Sequence, residues 1–299
     1  MVKRLISASS SEILKMDTLE LKQSIKASEG RIVLSENVAP RESFIGDITN
    51  AEIARAFGAD MILLNGLDVL HPKVFGLASE ENNIVEKLHS LIGCPVGVNL
   101  EPVDINAELQ EERLKLEIGR QATIQTFKRA EELGFDFICL TGNPGTGVSN
   151  QQIIEAVEEA KKMFSGLVIA GKMHGAGVDE PVADIEITKK ILNAGADIIL
   201  VPAVGTVPCF EEKELIEIVK EVHKEGGLVL SAIGTSQESS DIATIRDIAI
   251  RNKICGVDIQ HIGDAGYGGV APVENIYELS KAIRGIRHTV SVMARSINR

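Results

Sequence analysis

Gly58-Ala-Asp-Met-Ile-Leu-Leu-Asn65 compresses one structural unit into eight residues. A glycine that tolerates a left-handed turn closes the preceding helix, and an apolar run too short for a helix follows as a buried strand. The arrangement returns as Gly134-Phe-Asp-Phe-Ile-Cys-Leu-Thr141, Gly195-Ala-Asp-Ile-Ile-Leu-Val-Pro202 and Gly256-Val-Asp-Ile-Gln-His-Ile-Gly263. Between these stand runs without the aspartate: Gly30-Arg-Ile-Val-Leu34, Gly93-Cys-Pro-Val-Gly-Val98, Gly166-Leu-Val-Ile-Ala170 and Gly227-Leu-Val-Leu230. Eight glycine-led strands, 28 to 41 residues apart with helical sequence between them, predict an α/β fold of the (β/α)8 TIM-barrel type. In that architecture chemistry sits at the carboxyl ends of the strands, so the search for a site narrows to eight short stretches.

Working outward, residues 30–299 make the barrel and residues 1–29 a short helical extension. The extension carries two capping-box patterns, Ser9-x-x-Glu12 and Asp17-x-x-Glu20, and would cover the bottom of the barrel or an oligomer contact. The connecting helices read as Ala51–Phe57, Glu112–Leu133, Gln151–Phe164, Asp184–Asn193, Glu211–Glu225 and Asp241–Asn252, with a last helix and tail over Asn275–Asn298.

Bulk properties exclude several classes. At 299 residues and 44% hydrophobic content the chain fills one large domain, and no apolar stretch approaches the roughly 18 residues that span a bilayer. No signal-peptide core stands at the start, so the expectation is a cytosolic protein without membrane insertion. A net charge of -12 and 3% aromatics argue against nucleic acid as partner. The four cysteines (Cys94, Cys139, Cys209, Cys255) form no C-x-x-C pair, which argues against disulfides or zinc, and Cys139 reads as a small core residue.

The recurring aspartates (Asp60, Asp136, Asp197, Asp258) mark strand starts, the face tied to stability, and read as structural. Three residues beyond them come Leu63, Cys139, Leu200 and His261; five beyond come Asn65, Thr141, Pro202 and Gly263. Alternation puts both sets on one face, taken as the interior because Asn65 and Thr141 would be poorly solvated against helices. His261 then enters the barrel mouth; the opposite register would send Gln260 inward.

The strand ends are polar where the starts are not. Lys172-Met173-His174 is the leading catalytic candidate, its lysine and histidine two apart on one face with Met173 packing behind. Lys172 would form a Schiff base, act as a base, hold an anion or make a structural ion pair; His174 and His261 would move protons. Asn65, Asn99, Thr141, Asn143 and Ser231 offer hydrogen bonds to a substrate. The turns Gly234-Thr235-Ser236 and Gly263-Asp264-Ala265-Gly266-Tyr267-Gly268-Gly269 follow strands seven and eight, a common phosphate site of this fold. Asp264 opposes an anion there unless it faces away or binds a metal. Glu36, Asp68 and Glu101, on three adjacent units, would converge on Mg²⁺ or Mn²⁺, or else pair with Lys172, Arg41 or Lys73. No organic cofactor is expected. His71, His89, His223 and His288 carry no signal, and the long segments after strands one to three would serve as lids.

Ser35-Glu-Asn-Val38, Thr49-Asn-Ala-Glu52, Gly58–Asn65, Gly171-Lys-Met-His-Gly175 and Gly263-Asp-Ala-Gly266 together resemble a bacterial family of uncharacterised barrel proteins labelled phosphoenolpyruvate phosphonomutase-like, many linked with sugar transport. The resemblance spans nearly the whole chain and implies a barrel enzyme acting on a small anion. The phosphonomutase and isocitrate lyase superfamily itself is similar in holding Mg²⁺ with acidic residues and using a Lys-Lys-Cys-Gly-His-type loop, whereas Lys172-Met-His-Gly175 has no cysteine. The expected protein is therefore a lyase or aldolase working through an enolate on a small phosphorylated or carboxylated metabolite, and a homo-oligomer. Lys172, His174, Glu101 and His261 would be its catalytic residues. The alternatives are a sugar-phosphate isomerase or epimerase, and a non-catalytic metabolite-sensing barrel.

Overall fold

The computed structural model describes residues 2–78, 81–109 and 112–299. Eight parallel strands close in sequence order into a barrel: β1 (Ile32–Val38), β2 (Met61–Asn65), β3 (Val96–Asn99), β4 (Phe137–Leu140), β5 (Leu167–Gly171), β6 (Ile198–Pro202), β7 (Leu228–Ile233) and β8 (Ile259–Ile262). The helices are α1 (Ser10–Ile13) and α2 (Thr18–Lys26) ahead of the barrel, then α3 (Asn50–Ala56), α4 (Ile84–Ile92) and α5 (Ile124–Leu133). After these come α6 (Asn150–Met163), α7 (Ile185–Asn193), α8 (Glu212–Lys224), α9 (Ile242–Cys255) and α10 (Val273–Ala294), the last kinked at Gly285.

Two apolar cores divide the molecule. One lies between the strands' outer faces and the helices, and holds Val33, Ile62, Val98, Ile138, Val168 and Ile199 among others. The other fills the barrel with Leu34, Leu63, Cys139, Ile169, Leu200 and Leu230, and continues into Leu5, Ile6, Ile13, Leu21 and Ile25 of the extension. Leu5 to Ile25 of the extension thus plug the bottom of the barrel, and both expected capping boxes form at Ser9 and Asp17. Inside the barrel Gly97 leaves room for the Phe137 ring, whose carbon would stand 2.2 Å from a Cβ there.

The register agrees with the expectation. Leu63, Cys139, Leu200 and His261 point inward, while Gln260 turns out and donates to the Ala249 carbonyl of α9 at 2.8 Å. The four aspartates hold the strand starts together. Asp60, Asp136, Asp197 and Asp258 accept the backbone N–H of Val33, Val96, Val168 and Val229, at 2.8, 2.7, 3.1 and 2.8 Å. Each aspartate's own N–H donates to the carbonyl of that same valine. Each carboxylate has a side-chain partner too: Arg284 for Asp60, His89 for Asp136, Lys22 and Lys161 for Asp197, His223 for Asp258. His89 and His223, which carried no signal in the sequence, are members of this ring.

One expected helix is much shorter than read. Residues 112–117 are irregular, Ile118–Arg120 make a single 3-10 turn, and α5 starts only at Ile124, where Thr123 and Thr126 make a capping box. The preceding stretch instead crosses the mouth. The Leu114 N–H donates to the Gly145 carbonyl at 2.8 Å, and Arg113 donates to the carbonyls of Asp104 and Ala107. Backbone pairing of Val103 with Val148 and of Leu109 with Val178 ties the segment after β3 to the loops after β4 and β5.

Replacing Asp60 by alanine strands the fully buried Arg284 side chain without its counter-charge. The loss should be about 3–5 kcal/mol, read as a lower denaturant midpoint. Asp197→Ala, whose lysine partners keep contact with water, should lose distinctly less. Equal losses at the two positions would contradict the assignment.

Candidate functional site

Continuing the strands' inward-facing positions past the apolar layers gives the floor and walls of the candidate site. Glu36, Asn65, Asn99, Thr141 and Gly263 end their strands facing a cavity of about 680 Å³ at the carboxyl end of the barrel. Asn143, Met173, His174, Gly234, Thr235, Ser236, Glu238 and Asp264 extend its walls. Among the described residues that line it, none is lysine or arginine.

Glu36 and His261 form its base. Their Oε2 and Nε2 lie 2.9 Å apart, with the imidazole fully buried and the carboxyl almost so. Burial, together with the negative charges of Glu238 and Glu101, pushes the Glu36 carboxyl up to about 8. Burial pulls His261 down to about 4. At neutral pH the pair is therefore an uncharged acid against an uncharged imidazole, sharing one proton across a hydrogen bond. Asp264 rises to about 7 through burial and the Glu36 charge, and burial raises Glu238 as well. Three carboxyl groups at one mouth without a cation cannot all ionise together at ordinary cost.

A carboxamide network stands beside the acids. Asn65 and Asn143 exchange reciprocal side-chain hydrogen bonds at 3.0 and 3.1 Å, and Asn99 donates to the Asn65 carbonyl at 3.2 Å. Asn65 also donates to Asp264 at 2.9 Å. Among the described residues the buried Oδ1 of Asn99 and Oγ1 of Thr141 find no partner, nor do Oε2 of Glu238 and Nδ1 of His261. Unsatisfied polar atoms gathered in one place mark where a ligand or water would complete the bonding.

Several expected residues stand elsewhere. Strand β5 sends Val168 and Ala170 outward and Leu167 and Ile169 inward, so Met173, not Lys172, faces the barrel interior. Lys172 is buried away from the cavity lining, and its ammonium meets Glu180 at 2.9 Å. Glu180 also accepts the N–H of Asn150 at the start of α6, so this pair staples the loop after β5 to that helix. His174 does reach the cavity. Its Nδ1 accepts the Ala176 N–H at 3.0 Å, which places the neutral ring's proton on Nε2. Burial and the Lys172 charge hold it below the usual histidine range.

Glu101 accepts from Arg120 at 3.1 Å and from the side chain and backbone of Asn143, both at 2.7 Å, so it positions Asn143 from behind the wall. Asp68 caps its own turn by accepting the N–H groups of Leu70 and His71. Glu36, Asp68 and Glu101 therefore do not gather around a cation. Among the described residues no group of three His, Cys, Asp or Glu side chains that could hold a metal ion is found.

Ser231 falls on the outward face of β7, opposite the inward Leu230 and Ala232, and its hydroxyl points away from the cavity. Gly234, Thr235, Ser236 and Gly263 line the cavity, but Gly266 and Gly268 do not. Those two pack against Val270 and the segment 42–44, where a Cβ would clash with backbone, and they bind the loop after β8 to the loop after β1. Sequence reading missed Glu238. It sits in a Ser- and Gln-rich 3-10 turn that resembles a solvated loop, and only folding turns it under Gly263.

The geometry defines a TIM barrel with an acid-lined, carboxamide-lined cavity at the carboxyl ends of its strands. The chain belongs to the family described as Domain of unknown function (DUF7916), whose family model matches residues 6–299. No curated protein matches it. Among solved structures it is similar to a "putative fructose-1,6-biphosphate aldolase" from Coccidioides immitis, at 14% identity and TM-score 0.53, over 94% of this chain and 95% of that one. It is also similar to a 2,3-dimethylmalate lyase of the PEP mutase/isocitrate lyase superfamily, at 12% identity and TM-score 0.50, over 82% and 80% of the two chains. These likenesses establish the shared fold. No helix among the described residues is long and apolar enough to cross a membrane.

The carboxyl shifts set a pH dependence. Glu36 binds a proton more tightly folded than unfolded, so its stabilising contribution is complete below about 4.5 and is lost as pH rises towards 8. His261 works oppositely, adding stability between about 4 and 6.5. Asp264, raised to about 7, acts in the same sense as Glu36 but is spent near that pH, so among the groups of this site Glu36 governs the slope above it. Stability should fall between pH 7 and 8 by up to about 1.4 kcal/mol per pH unit for one proton. Glu36→Gln should flatten that slope in denaturant titrations; an unchanged slope would remove Glu36 as its source.

Proposed function

We propose that the protein is an enzyme of the lyase or aldolase kind, cleaving a small hydroxylated carbonyl compound by acid–base catalysis. The observation that carries this is two buried carboxyl groups in one cavity, Glu36 on the His261 imidazole at 2.9 Å and Asp264 on the Asn65 carboxamide at 2.9 Å, both raised well above the ordinary carboxylate range by burial. Two such carboxyls hold and exchange protons near neutral pH, so one serves as acid while the other serves as base. Asp264, in its ionised form, takes the proton of a β-hydroxyl. The carbon–carbon bond breaks, and its electron pair moves into the carbonyl to form an enol. Glu36 gives its proton to the carbonyl oxygen and is resupplied by the proton that Asp264 has taken up or from solvent. Asn65, Asn99 and Asn143 bind the substrate's oxygens, and His174 offers its Nε2–H from the opposite wall.

The absence of lysine or arginine from the described lining favours a substrate neutral at the reacting end. A carboxylated or phosphorylated substrate would enter with its charge answered by protons on Glu36 and Asp264. The consecutive positive φ angles of Thr235 (57°) and Ser236 (68°) favour this second form, because strained backbone of this sort collects at ligand-binding turns. The lyase and aldolase names of two structures with this fold belong to the same reaction class.

A panel of β-hydroxy aldehydes and ketones, with and without a carboxylate or phosphate, should be incubated with the protein in D₂O and followed by proton NMR. Cleavage with deuterium entering the product carbon is the expected result. Glu36→Gln should slow it by about 10²–10⁴-fold. Lys172→Met should lower the denaturation midpoint yet leave the rate within about tenfold, since its ion pair lies outside the cavity. Exchange without cleavage would point to an isomerase or epimerase, and binding without exchange to a sensing barrel.

A further inference from the structure

A second cavity, of about 470 Å³, adjoins the first over β5, β6 and β7, and the two share His174, Gly175 and Thr235 as a common wall. Its character is different. Where the first chamber gathers carboxyls and carboxamides, the second is walled mainly by Val182, Ala183, Pro202, Val207, Pro208 and Phe210, with Thr206 and Glu214 as its further polar members.

This annex is held open by the fold. The Thr235 hydroxyl donates to the Thr206 carbonyl at 2.8 Å, tying the chamber's wall to the annex's. The Val204 N–H donates to the buried carboxamide of Asn252 at 3.0 Å, and the Ala203 N–H to the Ala232 carbonyl at 2.9 Å. Phe210 is packed into the helix-facing core, so it cannot swing across to fill the space. A preformed apolar pocket of a few hundred Å³ suits part of a small molecule and is too small for a macromolecular segment. Its one shared boundary is with the acid-lined chamber.

We infer that the substrate is amphipathic, placing its hydroxylated, reacting end in the acid-lined chamber and an apolar group in the annex beyond His174. This rests on the chamber being the reacting site. Apolar burial in the annex then supplies affinity that the small polar end lacks, and it aims the reacting carbons at Glu36 and Asp264. Cys209 also lines the annex and is exposed, whereas Cys94, Cys139 and Cys255 are buried, so the protein carries its own reporter there.

The test uses the whole protein and a series of 1,2-alkanediols from propanediol to octanediol, with affinity read by ligand-observed NMR. Affinity should rise by about fourfold per added methylene until the annex is filled. Val207→Trp, which occupies the annex and touches none of the proposed acid–base groups, should abolish the rise and spare propanediol binding. In the unaltered protein, octanediol should slow maleimide modification of Cys209 at least threefold, and propanediol should not. A flat series, no binding across it, or a rise that survives Val207→Trp in a folded protein would overturn the inference, as would equal Cys209 reactivity with both diols. The D₂O experiment fails or succeeds separately: a chain-length rise without any exchange chemistry retires the acid–base reading and keeps the two-part site.

Discussion

Every even strand of this barrel begins with an aspartate that accepts the backbone N–H of the odd strand before it and returns its own N–H to the same residue. Parallel strands slide easily in principle, because a shift of one residue preserves the ladder while reversing every side chain. A carboxylate fixed to one N–H removes that freedom. The consequence is felt at the other end of the strands. His261 falls in the same inward layer as Leu63, Cys139 and Leu200, and Glu36 lies close enough to bond it. A slip of one residue would send Gln260 inward and turn His261 against α9. The acid site thus depends on a register set at the opposite face of the barrel.

Charge is distributed in the same divided manner. The buried cations are engaged away from the cavity: Arg284 on Asp60, Lys172 on Glu180. Glu36, Glu238 and Asp264 are left to share a low-dielectric mouth, and protons take the place that counter-ions would otherwise hold. Burial raises all three, and the charge of each acts on its neighbours. Carboxylic acids kept protonated near neutral pH are donors as well as acceptors, which a surface carboxylate is not. The carboxamides of Asn65, Asn99 and Asn143 extend this into a wall able to bond oxygens of either polarity.

Much of the fold was legible in the sequence because it repeats. The Gly-x-Asp opening of alternate strands announced eight units and identified the aspartates as structural, and the spacing from Asp258 placed His261 inside. The site was legible only in part. Asn65, Asn99, Thr141, Asn143 and Gly234–Ser236 were found because polar residues directly after apolar strands have few other places to go. Alternation failed at Lys172, since β5 ends at Gly171 and inward parity there belongs to Ile169 and Met173. Glu36 was read as a metal ligand beside Asp68 and Glu101, because chain order puts them on adjacent units. The fold gives them separate partners, with Asp68 capping a turn and Glu101 held by Arg120 and Asn143.

The sequence by itself determined the strand count, the closed barrel and the polar character of the strands' carboxyl ends. Those follow from local rules: glycine's backbone freedom, apolar periodicity and the side-chain period of two. Tertiary structure alone decided which ionisable groups meet, which are neutralised, and that an apolar annex adjoins the polar chamber. Proton affinity depends on burial and on charges brought from distant parts of the chain, as Glu36 and His261 are from 225 positions apart, and no local pattern encodes those distances.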